Sequence, residues 1–419
     1  MNLQPVGVPP ASQKITLSIG LPLRDSDGLN QLLKRIYDPA SPDYRHYLTP
    51  AQFTERFGPT ESDYAAVLDF ARTNGLAVTS LDPGRLLVPV NATVSDIEKA
   101  FRLKLRLYQH PTKGRQFYAP DAEPWVGGLP VQHITGLDNF SLPHPASLRK
   151  ATASAALASQ AGGSAPGGNL MGYDFRAAYV PGVAQTGAGQ TVGLLELDGY
   201  YANDIAAYEA QAGLPAVPLV NIPVDGFDMQ PSTNSEHVLE VSMDIEMVIS
   251  MAPGLSNVLV YEATSDGASD NDLLERIASD NLAQQISSSW EFHLDTNTIP
   301  ILQKMCSQGQ SFFQAFGVPS TCAALEASKL RSNPPPTARP GVRKETPKSV
   351  SASRQPSYGV PRPGNTEASA NATPKFTSFA SATTAKRMNA IPWNCPAGAF
   401  TSCAQPPWTR STTARTPLA

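Results

Sequence analysis

Cysteine is scarce in this chain, and aspartate vanishes after residue 295. Four Cys occur in 419 residues: Cys306, Cys322, Cys395 and Cys403. They are too few and too loosely spaced for a disulfide scaffold or a zinc ribbon, and they indicate no redox compartment. No Asp follows Asp295. No run of ~18 apolar residues exists, so no membrane span is expected. The start, "MNLQPVGVPPASQK", lacks a basic n-region and an apolar h-region, so no secretory signal is read there. Positive charge is not in excess. Lys and Arg number 32 against 36 Asp and Glu, the net charge is −4 and the pI about 5.9. Such a balance gives the whole chain no reason to seek nucleic acid. The six His are scattered, with no Cys or Ser context for a papain-like or chymotrypsin-like site. "EHVLE" offers Glu236, His237 and Glu240 but no second His at metalloprotease spacing, so zinc is not expected.

What is present supports two or three domains with sizeable cores, since 41% of the residues are hydrophobic. Residues 1–145 read as a compact α/β unit. In "KITLSIGLPL", Ile15, Leu17 and Ile19 alternate as in a half-buried strand. Leu29, Leu32, Leu33 and Ile36 recur at helical spacing before Pro39. Thr60 and Asp63 open the next helix as a capping box, which runs to Gly75. "GRLLVPV" is a short strand, "TVSDIEKAFR" a third helix and "LKLRLYQ" a strand with one wet face. Interleaving of this kind predicts one sheet with helices on one side. Residues 146–169 are small, polar and Gly-rich, a linker open to proteases.

From residue 170 to about 316 the pattern becomes strand, helix, strand, helix. "QTVGLLELDG" is almost continuously apolar, as in a parallel sheet buried on both faces. "SNVLVYEA" and "QQISSSW" read as further strands. "DNDLLERIASD" and "IPILQKMCSQGQSFFQAFG" read as helices. This is a doubly wound α/β pattern. Residues 317–419 are rich in Pro, Ser, Thr, Ala and Arg, without apolar periodicity. Such a tail is expected to be disordered or poorly packed. Its basic balance, lacking interleaved aromatics or a helical face, reads as solvated, not as a nucleic-acid or membrane contact.

The chemistry concentrates in "SEHVLEVSMDIEMVISMAPG", residues 235–254. Glu240 and Asp244 stand four apart among Val, Leu, Ile and Met, and positions i and i+4 share one helix face. Two buried carboxylates are costly unless they share a proton, which raises one pKa strongly. Such a pair can take a proton from a nucleophile at acid pH, where a His base would already be charged. The plainer alternative is a solvated acidic stripe, with Glu236 one turn earlier and Glu246 nearby.

Three stretches of the first 145 residues, "LPLRD", "SPDYRHYLTPAQFTERFGPT" and "ITGLDNF", resemble the activation domain of pro-kumamolisin-type precursors. "QTVGLLELDGYY", "EVSMDIEMVISMAPG" and "SSSW" resemble the start of the catalytic domain of the sedolisins, the serine-carboxyl peptidases. The resemblance implies a ferredoxin-like α/β prodomain, then an incomplete subtilisin-like parallel-sheet catalytic domain. It implies acid-acting endopeptidase activity through a Ser-Glu-Asp triad, with Glu240 as general base and Asp244 holding it. Ser287, Ser288, Ser289 and Trp290 would border the substrate cleft. Unfolded peptides would be the substrates and the prodomain an intramolecular chaperone and inhibitor, in an exported monomer that uses calcium.

The resemblance also has gaps. The family's Gly-Asp-Ser-Gly turn, whose Asp serves the oxyanion hole, is absent where "VPSTCAAL" stands. The nearest nucleophile candidate is Ser402 in "FTSCAQPPW", with Phe400 where the family has Gly. Only "TRSTTARTPLA" follows, with no carboxylate for calcium. A reading frame disturbed near residue 316 would account for these losses. The alternative to an enzyme is a catalytically dead product or a propeptide-like binder of related peptidases.

Overall fold

The computed structural model describes residues 3–146, 162–165, 168–292 and 294–315, all within one compact unit. The expectations for Ser402, for the tail 317–419 and for most of the linker fall outside these residues.

The N-terminal lobe comprises β1 (Pro5–Gly7), β2 (Lys14–Gly20), α1 (Ser26–Ile36), α2 (Pro50–Arg56), α3 (Glu61–Thr73), β3 (Ala77–Val78), β4 (Leu87–Thr93), α4 (Val94–Phe101), β5 (Leu105–Gln109), β6 (Gln116–Pro120), β7 (His133–Thr135) and β8 (His144–Pro145). Ile15, Leu17 and Ile19 of β2 pack with Tyr64, Val67 and Leu68 of α3 and Ile97 and Phe101 of α4. Each such side chain contributes about 1.5–3 kcal/mol on burial. The expected single sheet is instead two. One has the order β3-β4-β2-β7, the other β1-β5-β6, and every pairing in both is antiparallel. Both edges of β2 are already taken, by β4 and β7. The β5–β6 hairpin therefore builds on β1. The capping box expected at Thr60 is only half made. Thr60 accepts from the Asp63 N–H, but the Asp63 carboxylate takes the Thr60 hydroxyl at 2.6 Å, not the backbone donor. The full reciprocal box belongs to α2, between Thr49 and Gln52.

The C-terminal lobe comprises α5 (Gly172–Tyr179), β9 (Thr191–Glu196), α6 (Ala202–Ala212), β10 (Leu219–Pro223), α7 (Ser235–Met251), β11 (Asn257–Glu262), α8 (Ser269–Asp280), β12 (Gln285–Ser288), β13 (Trp290–Glu291), α9 (Thr298–Ser307) and β14 (Ser311–Gln314). Its sheet is parallel throughout, in the order β10-β11-β9-β12-β14. Two expectations need correction. "QQISSSW" is not one strand, because the sheet ladder ends at Ser288 and Trp290 pairs elsewhere. The helix expected through "QGQSFFQAFG" stops at Ser307. Gly309 takes φ +77, a left-handed conformation open to glycine, and Ser311–Gln314 then run as a strand beside β12.

The lobes share a core. Leu29, Leu32, Leu33 and Ile36 of α1 and Phe53 of α2 belong to one apolar cluster with Leu273, Ile277, Ile301 and Met305. The backbone approach is close. A Cβ at Gly20 would collide with the Asn297 side chain, and one at Gly84 with Glu275 and Lys304.

Candidate active site

Helix α7 carries the acid pair. Asn234 caps it by accepting from the Glu236 N–H at 3.1 Å, and Glu236 complements the positive helix end. Val238, Val241, Ile245 and Ile249 form its buried stripe. Leu239, by contrast, is exposed, so the helix is not apolar all round. Glu240 is 5% exposed. Asp244 keeps some surface as a residue, yet its Oδ2 is shut from solvent without a donor.

Three neighbours fix the pair. The Ser289 hydroxyl donates to Asp244 Oδ1 at 2.6 Å. Glu196, fully buried at the end of β9, accepts from the Trp290 indole N–H at 2.8 Å. Glu196 Oε1 and Asp244 Oδ2 both lack a donor in the hydrogen-bond network. Their mutual influence raises Glu196 and lowers Asp244, the pattern of a carboxyl pair in which Glu196 is the one that keeps its proton. Burial first, then the charge of Asp244, pushes the Glu240 carboxyl up to about 8, against a hydrogen bond from Ser289. Burial also raises Asp244 to about 6, while Ser289 and Glu196 hold it down. Glu196 rises well above the ordinary carboxylate range, again mainly through burial.

Sequence reading missed Glu196, although one Glu inside the apolar "TVGLLE" was a usable signal. It also missed the periphery. His237 packs edge-on against Trp290, with ring centroids 4.9 Å apart, and its Nδ1 lies 3.7 Å from Asp198 Oδ2. Asp198 is anchored by the N–H groups of Gly199 and Ser232 and by the Ser232 hydroxyl. Glu262 is completely buried near Asp198, and burial raises its pKa to about 8.

The four residues expected along the cleft divide. Ser287 is paired on both sides, with Leu194 and Phe313. Ser288 bonds to the Leu195 carbonyl and supports the Trp290 N–H. The edge that pairs with another segment of the chain is Ser289 to Glu291. There β8 pairs antiparallel with β13, Trp290 opposite Pro145 and Glu291 opposite His144, and the Ala146 N–H donates to the Ser289 carbonyl at 2.9 Å. A segment of the chain itself thus lies along the strand beside the acid pair. Calcium finds no fit here: among the described residues no group of three or more His, Cys, Asp or Glu could hold a metal ion. Among the same residues no helix is long and apolar enough to cross a membrane.

Residues 2–140 match the family model described as Pro-kumamolisin, activation domain. Sedolisin of Pseudomonas sp. (strain 101) is 27% identical over 322 residues, covering 73% of this chain and 54% of that protein. Xanthomonalisin of Xanthomonas sp. (strain T-22) is 25% identical over 343 residues, covering 73% of this chain and 40% of that protein. The chain thus spans about half the length of the curated relatives it matches. The solved structure of Pseudomonas sedolisin, a serine-carboxyl proteinase complexed with pseudo-iodotyrostatin, overlaps weakly. Its TM-score is 0.29 at 19% identity, over 34% of this chain and 43% of that one. By sequence, then, residues 2–140 are similar to Pro-kumamolisin activation domains, and 73% of the chain is similar to sedolisin and xanthomonalisin.

Proposed function

We propose that the chain is the precursor form of an acid-acting serine-carboxyl endopeptidase. The observation that carries this reading is the buried line of carboxyls, Glu196, Asp244 and Glu240, beside a strand already paired with a peptide segment. Glu240 is the general base toward a serine hydroxyl, and Asp244 orients and polarises it. Ser402, outside the described residues, is the nucleophile candidate. The acyl-enzyme it would form is released by water.

The raised carboxyls also suggest why the precursor is latent. A base must be deprotonated to work, and Glu240, at about 8, keeps its proton throughout the acid range. Strand β8 packs against α7 and adds to that burial. Removing the activation domain rehydrates Glu240 and returns it toward the ordinary value near 4, where a window of about pH 3–5 opens. The strand order β3-β4-β2-β7 supports the ferredoxin-like reading of the prodomain, and β10-β11-β9-β12-β14 the subtilisin-like reading of the catalytic part. Residues 1–145, 146–169 and 170–316 then serve as prodomain, processing linker and catalytic part, in an exported protein acting on unfolded peptides.

The missing Gly-Asp-Ser-Gly turn favours a second reading, a catalytically dead product of a disturbed frame or a propeptide-like inhibitor of related peptidases. Acidifying the purified chain distinguishes them. Self-cleavage within 146–169, abolished by Glu240→Gln and by Ser402→Ala, is the outcome expected of the peptidase. An uncut chain that inhibits an intact relative in trans supports the second reading.

A further inference from the structure

Helix α8, which packs against β2 and β4 of the activation domain, carries a row of buried acids, of which Asp272 and Glu275 meet that domain directly. Asp270, Asp272 and Glu275 are 4%, 4% and 3% exposed. Asp225, in the loop after β10, lies against Asp272 and Ser269. Asp270 Oδ1, Asp272 Oδ2, Glu275 Oε2 and both Asp225 oxygens are shut from solvent without a donor.

The lid over this row is the other lobe. Ser18 of β2, itself fully buried, donates to Asp272. Thr135 of β7 accepts from Asn271 at 3.1 Å and donates to Asp295 at 2.5 Å. The loop carrying Asp82 and Gly84 closes over Glu275 and Ser279. The other charged or titratable groups facing the row are few. From the activation domain come Asp82, Tyr64, Arg85 and His133, whose Nε2 is 3.5 Å from Asp295 Oδ2. From the catalytic side come Asp266, Asp295 and Lys304, which pairs with Glu275. Among the described residues that face the row, Lys304 is the one buried cation.

We propose that docking of the activation domain onto α8 is proton-linked in the sense opposite to acid release: the lobes hold each other most tightly at acid pH and loosen toward neutrality. A carboxyl covered without donors must be protonated, or must share a proton with its neighbour. Separation lets water reach each acid, which returns to its ordinary value near 4 and releases its proton. The folded-state pKa values are raised, for Asp270 and Asp272 by burial and then neighbouring acids, and for Glu275 to about 8. Their contribution is therefore complete below about pH 4 and is lost as the pH climbs toward the docked-state values. At acid pH the catalytic lobe is therefore freed by proteolysis of the activation domain itself, not by dissociation of an intact one.

The test is independent of the chain's own catalysis. A recognition sequence for a specific protease is inserted at residue 155 of the full chain, and the folded protein is cut with that added protease. Dissociation of the two fragments is then followed from pH 4 to pH 8. The expected result is a dissociation constant that rises at least tenfold per pH unit between pH 5 and 7. A flat profile, or tighter docking at pH 7 than at pH 5, overturns the proposal. In the double variant Asp270→Asn with Asp272→Asn, docking at pH 7 should approach the strength seen at pH 5, with a shallower slope. An unchanged slope in that variant also overturns it. Ser18→Ala removes a donor without touching an acid, so it should weaken docking several-fold at every pH and leave the slope intact. If the fragments never part, hydrogen exchange of β2 and β7 reads the same equilibrium. Equal opening free energies at pH 5 and pH 7 would then refute the proposal.

Discussion

Helices α7 and α8 both bury carboxyls, but they cover them differently. On α7 the cover comes mainly from the helix's own lobe: Ser289, Glu196 and Trp290. On α8 it comes from the other lobe, through Ser18, Thr135 and the Asp82 loop. When the lobes part, the bonds among Ser289, Asp244, Glu196 and Trp290 persist and only Glu240 loses the cover of β8, whereas the α8 contacts are lost altogether. Similar burial physics thus yields a preorganised group in one place and a conditional contact in the other.

The largest expected effect strikes the α8 side. Lys304→Met leaves Glu275, which also faces Asp82, without its cation, and removing one partner of a buried pair costs about 3–5 kcal/mol. Chemical denaturation should show this loss. A loss under about 1 kcal/mol would mean that water reaches the seam.

Glu240→Gln on α7 should have the opposite sign. The native acid has a raised folded-state pKa, so it weakens the fold increasingly as pH rises from about 4.5 toward 8. The amide lacks this penalty. The variant should gain on the order of 2 kcal/mol at pH 7 and almost nothing at pH 4, read as paired melts at the two pH values. A gain independent of pH would mean that packing, not charge, is responsible.

Ser289→Ala is the smallest change. It removes the hydroxyl that holds down both Asp244 and Glu240. Both should titrate higher, by about one pH unit, at a cost near 1 kcal/mol. Carbon-13 carboxyl titration would detect it, and unmoved values would remove Ser289 from the network.

Much of the framework was legible in the sequence. The periodicity of Leu29 to Ile36 and the apolar run at 191–196 correspond to α1 and β9. The i, i+4 spacing of Glu240 and Asp244 led to the acid pair. What escaped depended on pairing between distant segments. Nothing in "LKLRLYQ" says that its partner is Pro5–Gly7, because strand pairing is a tertiary choice. "SFFQ" looked helical because a short apolar run carries no decisive period, and the left-handed turn at Gly309 had to be seen. The seam on α8 escaped as well, since Asp270, Asp272 and Glu275 reveal their burial only once β2 and β4 pack against the helix.

The shared core has a kinetic consequence. Bonds such as Ser18–Asp272, Tyr37–Cys306 and Asn30–Gln303 join residues 254, 269 and 273 positions apart. Loop closure over such spans makes assembly slow when both ends are unformed. The two antiparallel sheets of the N-terminal lobe and its inner cluster use only residues up to 137 and can form before the rest of the chain leaves the ribosome, while α1, α2 and β8 wait for their partners. The C-terminal lobe then condenses on a framework already formed, completing the shared core, and the order of synthesis becomes the order of folding.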